Sequence, residues 1–352
     1  MTFAIHDEST IETILDDWHD LTARIPHRVA TRPSYALTWF RALGRGRLAV
    51  CAVRRHGRLV AVAPLHSRSR LGVRAYRVLG HGLATIGGVL AEDDDALNEL
   101  VDALATRRIP LQLTHLESTD PLIVALRRSN CWHVDAYIDD HCLTIDLEPG
   151  QTAAALRGKK TLKALRRIER SLEKAGTPAS VEVVTEPADL ARRWPDIAGV
   201  AARADADSGR VDFCAPPIAA FTRPFLEAEA RAGSLLVAGL IVGDRWVAHE
   251  IMFRTGSTAE MWMARFDPDV AHLRPGHLLH RWLADHHDDL GITRFDYLLG
   301  TSEFKSRWAN GGYDAVTVTA TPRGRPLHRW TLDVADRAAD RIRPLRSVIE
   351  IH

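Results

Sequence analysis

The sequence predicts an α/β protein, α+β in detail with mixed sheets, divided into two domains. Three observations lead there. The chain runs to 352 residues, long for one hydrophobic core and comfortable for two. Leu235–Ile241 and Trp246–Phe253 are alternating apolar runs split by the turn residues Gly243-Asp244, the pattern of an antiparallel hairpin. A third run, Thr258–Ala264, is followed by Arg274-Pro275-Gly276, a helical run from His277 to about Asp289, and a strand over Arg294–Leu299. A helical crossover of that kind leads to a parallel neighbour.

The other elements follow in order. Ile11–Leu21 has helical spacing, and Pro33-Ser34 opens a short helix over Tyr35–Leu43. Leu48–Val53 and Leu59–Leu65 flank Arg55-His56-Gly57 as a hairpin. The acidic run Glu92–Asp95 caps a helix to about Ala105, carboxylates being favoured at the positive helix N-terminus. Leu111–Leu116 is a strand, Pro121–Ser129 a helix and His141–Leu147 a strand. Gln151–Lys174 reads as one helix ended by Gly176, with Leu156, Leu162, Leu165, Ile168 and Leu172 on one stripe. Val181–Val184 is a strand, Pro187–Ala204 a helix, Asp205–Pro217 a loop and Ile218–Ala232 a helix. A short helix carrying Glu303-Phe304-Lys305 and Trp308 precedes a strand over Ala315–Ala320. The tail from Pro326 to Ser347 is amphipathic and basic, and is expected to be helical.

Composition narrows the function. A hydrophobic fraction of 46% and a charged fraction of 26% are ordinary for a soluble globular chain. A net charge of +1 gives no global attraction to nucleic acid or membrane, so any basic site is local. The polar, acidic N-terminus resembles no signal peptide, no run approaches membrane-spanning length, and the four cysteines form no CxxC pair. A cytoplasmic protein with free thiols is expected. There is no Walker A sequence, no Rossmann glycine fingerprint and no Gly-x-Ser-x-Gly elbow.

Ala248, Phe266-Asp267-Pro268, Pro275-Gly276 with Leu279, Phe295-Asp296, Gly300 and Phe304-Lys305 with Trp308 stand in an order that resembles the acyl-CoA-binding half of a GNAT acyltransferase. The chain is more specifically similar to the tandem-GNAT proteins of the CelD-type (cellulose-biosynthesis) acetyltransferase family, relatives of the Fem aminoacyl transferases. Ala61-Val62-Ala63-Pro64-Leu65, Tyr76–Gly80 and Gly87-Gly88-Val89-Leu90 carry the likeness into the first half. The resemblance implies two tandem GNAT-like domains facing a central cleft. Residues 1–149 form a degenerate one, residues 150–320 form the acyltransferase domain, and 321–352 form a helical tail. The usual Gln/Arg-x-x-Gly-x-Gly/Ala signature is not met, since the turn holds only one glycine.

The implied site follows from the chemistry of acyl transfer, which needs a docked donor, an aligned amine, a destination for the proton and a stabilised carbonyl oxygen. Arg274, Pro275, Gly276 and His277 would hold the donor pyrophosphate on helix N–H groups. The strand Met261, Trp262, Met263, Ala264 would polarise the carbonyl. Glu250 and Asp267 are the best carboxylates for a base, with His249 as an alternative. Alternation puts Glu250 with Trp246, Ala248 and Met252 on one face of its strand, and His249 with Val247, Ile251 and Phe253 on the other. A charged or imidazole group in an apolar central strand is paired, neutral or facing a cleft, so a structural role stays open for each.

Phe304 takes the place where many GNAT enzymes carry a proton-donating tyrosine, leaving Tyr297 as the substitute. The resemblance places Lys305, with Asp296 and Trp308, on the substrate side, a solvated lysine being the other reading. His280, His286 and His287 lack the HxxxH spacing, so a solvated helix face and no metal is expected. Lys159, Lys160, Lys163, Arg166, Arg167 and Arg170 make the 151–174 helix the most basic stretch; it either binds RNA phosphates or is a solvated face.

The function expected is an N-acyltransferase moving an acyl group, most simply acetyl, from acetyl-CoA or another acyl-CoA to a small-molecule or sugar amine. Two alternatives remain: a Fem-like transferase using aminoacyl-tRNA, and a non-catalytic binding protein of a pathway.

Overall fold

A computed structural model of the chain describes residues 1–70, 73–83 and 85–324. The basic tail read from Pro326 to Ser347 lies outside the described residues. Contacts divide the chain into two units: residues 1–141 together with the described residues from 313 on, and residues 142–312. Among the described residues no helix is long and apolar enough to cross a membrane.

The first unit runs β1 (Thr2–His6), α1 (Leu15–Arg24), α2 (Pro33–Leu43), β2 (Arg47–Leu48), β3 (Val50–Arg55), β4 (Arg58–Ala63), β5 (Leu65–Arg70), β6 (Val73–Val78), β7 (Leu90–Ala91), α3 (Asp94–Thr106), β8 (Leu111–Glu117) and α4 (Pro121–Arg128). β9 (Trp132–Asp146) follows and ends in the second unit. The second unit continues with α5 (Ala153–Leu156), α6 (Lys159–Lys174), β10 (Ala179–Val184), α7 (Pro187–Ser208), α8 (Ala219–Arg231), β11 (Leu235–Val242), β12 (Arg245–Thr255), β13 (Thr258–Phe266), α9 (Pro275–Asp285), β14 (Arg294–Asp296) and α10 (Glu303–Trp308). β15 (Gly311–Pro322) carries the chain back to the first unit.

The mixed α/β class expected from the sequence is the one found, and both units build it alike. In the first, β6 and β8 are parallel with α3 between them in sequence, and β15 adds antiparallel to β8. In the second, β13 and β14 are parallel with α9 between them, and the end of β9 adds antiparallel to β14. The second unit's strand order is β10-β11-β12-β13-β14-β9. α9 lays Leu278, Leu279 and Leu283 on Ala238, Ala248 and Met252 of that sheet. On the other face Phe225 of α8 meets Phe253 at 4.7 Å.

Several elements depart from expectation for local reasons. The helix read as Gln151–Lys174 is two, because Thr152 caps α5, Arg157 is extended and Gly158 starts α6 afresh. The helix expected from His277 starts at Pro275 and ends at Asp285. His287 is then buried, its Nδ1 2.7 Å from the Ile292 carbonyl and its Nε2 3.1 Å from that of Gln151. Asp205 belongs to the last turns of α7 rather than a loop. The strand from Arg294 stops at Asp296, since Leu298 is left-handed with φ 54°. Pro64 interrupts the first-half hairpin strand, so that β4 and β5 join different sheets. A bulge at Leu240/Ile241 shifts the register of β11 and β12, turning Trp246 to the His249 face, where its ring covers Gly239, the partner of His249.

Candidate functional site

The second unit's parallel pair opens where an extended group could enter. β13 pairs with β14 only through Thr258, Ala259 and Glu260. From Met261 on, no β14 residue faces it, and beyond Asp296 the chain follows β9, Tyr297 N–H donating to the Leu143 carbonyl. On its other edge β13 carries a bulge: Met263 pairs with Ile251 and Met261 with Met252, leaving Trp262 extra. Trp262 turns into the aromatic cluster of Phe213, Phe221 and Phe225. Met261 and Ala264 lie on the α9 side, as Ala264 pairs with Glu250 and Met261 with Met252.

α9 begins beside this opening. Arg274, left-handed at φ 54° and ψ 50°, takes the cap position without a side-chain bond. Pro275 has no N–H, and His277 and Leu278 both donate to the Arg274 carbonyl, so the Gly276 N–H stands outside the backbone network. Gly276 is only partly buried, and a Cβ there would stand 3.3 Å from the Phe304 ring. His277 Nδ1 accepts from Trp308 Nε1–H at 2.9 Å. That bond fixes the tautomer, while burial, then Arg157, Arg274 and Arg307, lower the imidazole pKa. A bare N-terminus beside three guanidiniums fits a phosphorylated donor. The start of α3 does not, for Asp93 fills that helix end with its own carboxylate, accepting from Ala96 N–H at 2.6 Å, with Asp94 and Asp95 behind it.

Glu250 and His249 occupy opposite faces of β12, as alternation requires. Glu250 is 3% exposed and makes no hydrogen bond among the described residues. Burial pushes its carboxyl up to about 8, against the pull of the Lys305 and Arg265 charges. Tyr297 is buried on the same α9 face, its hydroxyl without a partner, and burial and then the Glu250 charge raise it well above the usual phenol range. His249, on the α7 side, is buried with neither nitrogen bonded; burial lowers it to about 3, so it stays neutral.

Asp267 stands in a different setting. Its buried carboxylate caps the 3₁₀ turn after β13, accepting from Asp269 N–H at 3.1 Å. The other oxygen holds Arg203 and Arg245, each at 3.0 Å. Arg265 reciprocates to Asp205 of α7 at 2.6 Å. The crossed pairs Arg203–Asp267 and Asp205–Arg265 thus tie α7 to the end of β13. Glu250 is left as the carboxylate of the candidate set with no partner.

Lys305 Nζ donates to the carbonyls of Tyr297, Leu299 and Gly300 at 3.1, 2.7 and 2.8 Å, using its three N–H bonds on one loop. Asp296 is buried beneath that loop and accepts from Leu298 N–H at 2.8 Å, supporting the left-handed residue. Trp308 is fully buried under Arg157, whose guanidinium lies 5.6 Å from its ring. Lys305 and Asp296 are thus bonded to the loop after β14, and Trp308 lies in the core. The sequence reading missed His280. It is buried, not solvated, with Nδ1 3.0 Å from the Gly276 carbonyl and its ring stacked on Tyr297 at 5.6 Å and 12°. Its position four residues after Gly276, beside Leu279, was the available signal. Among the described residues no group of three or more His, Cys, Asp or Glu is placed to hold a metal.

Residues 159–306 match the family described as the acetyltransferase (GNAT) domain. No curated protein matches the chain. Among solved structures it is similar to FemX, with a TM-score of 0.64 and 10% identity over 94% of this chain and 99% of that one. It is similar to the C-terminal domain of a lysylphosphatidylglycerol synthetase from Agrobacterium fabrum, with a TM-score of 0.58 and 13% identity over 92% and 96%. It is also similar to L-PGS from Bacillus licheniformis, with a TM-score of 0.52 and 14% identity over 87% and 96%. Identities this low speak for the fold alone. The chain carries a GNAT acyltransferase domain and is an enzyme of that type.

Proposed function

We propose that the chain is an N-acyltransferase of the CelD-type tandem kind, transferring an acyl group, in the simplest case acetyl, from a CoA thioester to a small-molecule or sugar amine by direct attack. One observation carries the reading: the bare start of α9 adjoins the opened β13–β14 pair with the unpartnered Glu250 carboxyl on the same face. When bound, an acyl-CoA supplies an activated carbonyl and a leaving thiolate. The Gly276 N–H and the exposed Arg274 hold its phosphates, and N–H groups of the stretch Met261–Ala264 polarise the carbonyl. Glu250, raised to about 8, takes the amine proton. Tyr297, protonated at working pH, gives a proton to the departing sulfur.

The second reading, an aminoacyl-tRNA donor, is favoured by α6, where Lys159, Lys160, Lys163, Arg166, Arg167 and Arg170 are all exposed. Turnover assays with acetyl-CoA and with charged tRNA, side by side on a panel of amines, separate the two. Acylation from acetyl-CoA alone supports the proposal. Acylation from tRNA alone moves the donor, and acylation from neither counts against both donors as tested.

A further inference from the structure

Under the first turns of α9, near the Glu250 carboxyl, lie two buried polar atoms that have no partner among the described residues: Tyr297 Oη and His280 Nε2. The last is the most telling. A carbonyl only accepts, so the 3.0 Å contact between His280 Nδ1 and the Gly276 oxygen puts the proton on Nδ1. Nε2 is then a lone pair, buried and fixed in direction by the stack on Tyr297 and by Phe304, which meets the imidazole edge-on at 4.8 Å. An acceptor buried without a donor costs free energy unless a ligand supplies one. Tyr297 does not supply it, since its ring lies nearly parallel to the imidazole and its hydroxyl makes no bond to it.

Through Tyr297, on which its ring stacks and which lies near Glu250, His280 is linked to the Glu250–Ala264 pair, the stretch where the function proposed above puts the acyl carbonyl, and the inference rests on that reading. We propose that this site selects an acyl group carrying a hydrogen-bond donor next to its carbonyl, a hydroxyacyl or an aminoacyl group, with His280 Nε2 as the accepting atom. A plain alkyl acyl group leaves the lone pair buried and unbonded. A site built to bond an N–H or O–H discriminates against the isostere lacking it far more strongly than an apolar pocket discriminates by one methylene.

Glycolyl-CoA, glycyl-CoA and propionyl-CoA are near isosteres that differ in the terminal group, and calorimetric binding followed by single-turnover transfer compares them. Glycolyl-CoA or glycyl-CoA should exceed propionyl-CoA at least tenfold, the better of the two naming the source of the donor group. His280→Phe keeps the stack on Tyr297 and should erase that ratio. Equal handling of all three esters by the unaltered enzyme, or a preference that survives His280→Phe, would overturn the inference while leaving CoA transfer intact. Failure of every CoA ester to bind would instead remove the donor reading beneath it. The comparison within the unaltered enzyme stands even if His280→Phe does not fold.

Discussion

Burial of Glu250 carries a cost. Its carboxyl is raised from the ordinary 4.5 to about 8 by burial. The folded chain therefore keeps a proton that the unfolded chain releases. The stability contributed is fully present below about 4.5 and lost as pH rises through about 8. Glu250→Gln should consequently melt above the unaltered chain at pH 9, by an amount on the order of a few kcal/mol, with the gap closing towards pH 4. A gap that widens on acidification would contradict the assignment. If the same residue is the base proposed above, kcat/KM should rise with pH through about 8. Glu250→Gln should lower it by ~10²–10⁴-fold and remove the limb. A retained limb would place the base elsewhere. Alternation along β12 was enough to separate Glu250 from His249 in the sequence. The setting of Asp267 was not legible, because its partners Arg203 and Arg245 lie 64 and 22 residues away and nothing local announces them.

Among the elements, α6 separates the two donors. A helix that touches RNA phosphates releases counterions, so affinity falls with salt by about 0.7 log units per phosphate and decade on a single strand. Its exposed lysines would contribute to that slope, while Leu162, Leu165 and Leu172 already anchor the helix in the core. Activity should show a shallow salt response that replacing Lys159, Lys160 and Lys163 together with alanine leaves unchanged. A steep slope abolished by the triple change would favour tRNA. Strands and helices of this unit were readable because periodicity and Pro-Gly punctuation are local. The break at Gly158 was not, since the apolar stripe continues through it and extended Arg157 is held by Trp308 and the Arg307 carbonyl, some 150 residues on. Nor was the turn of Trp246, which depends on a bulge that pairing alone defines.

The whole molecule repeats one crossover with opposite chemistry at the helix start. α3 opens on Asp93, Asp94 and Asp95, and α9 on Arg274, Pro275 and Gly276. The acidic cap was visible in the sequence, but that α3 and α9 hold equivalent places became clear only from the parallel pairs β6–β8 and β13–β14, whose pairing partners no local pattern specifies. The proposed function predicts one donor per chain, held at α9. Calorimetric titration with acetyl-CoA, on the unaltered chain and on Gly276→Val, tests this most directly. The valine Cβ would crowd the Phe304 ring, 3.3 Å away, and its branches would cover the bare N–H. The account predicts one equivalent bound by the unaltered chain and at least a tenfold loss in the variant at an unchanged fold by circular dichroism. Two equivalents, no binding, or full affinity in Gly276→Val would contradict it.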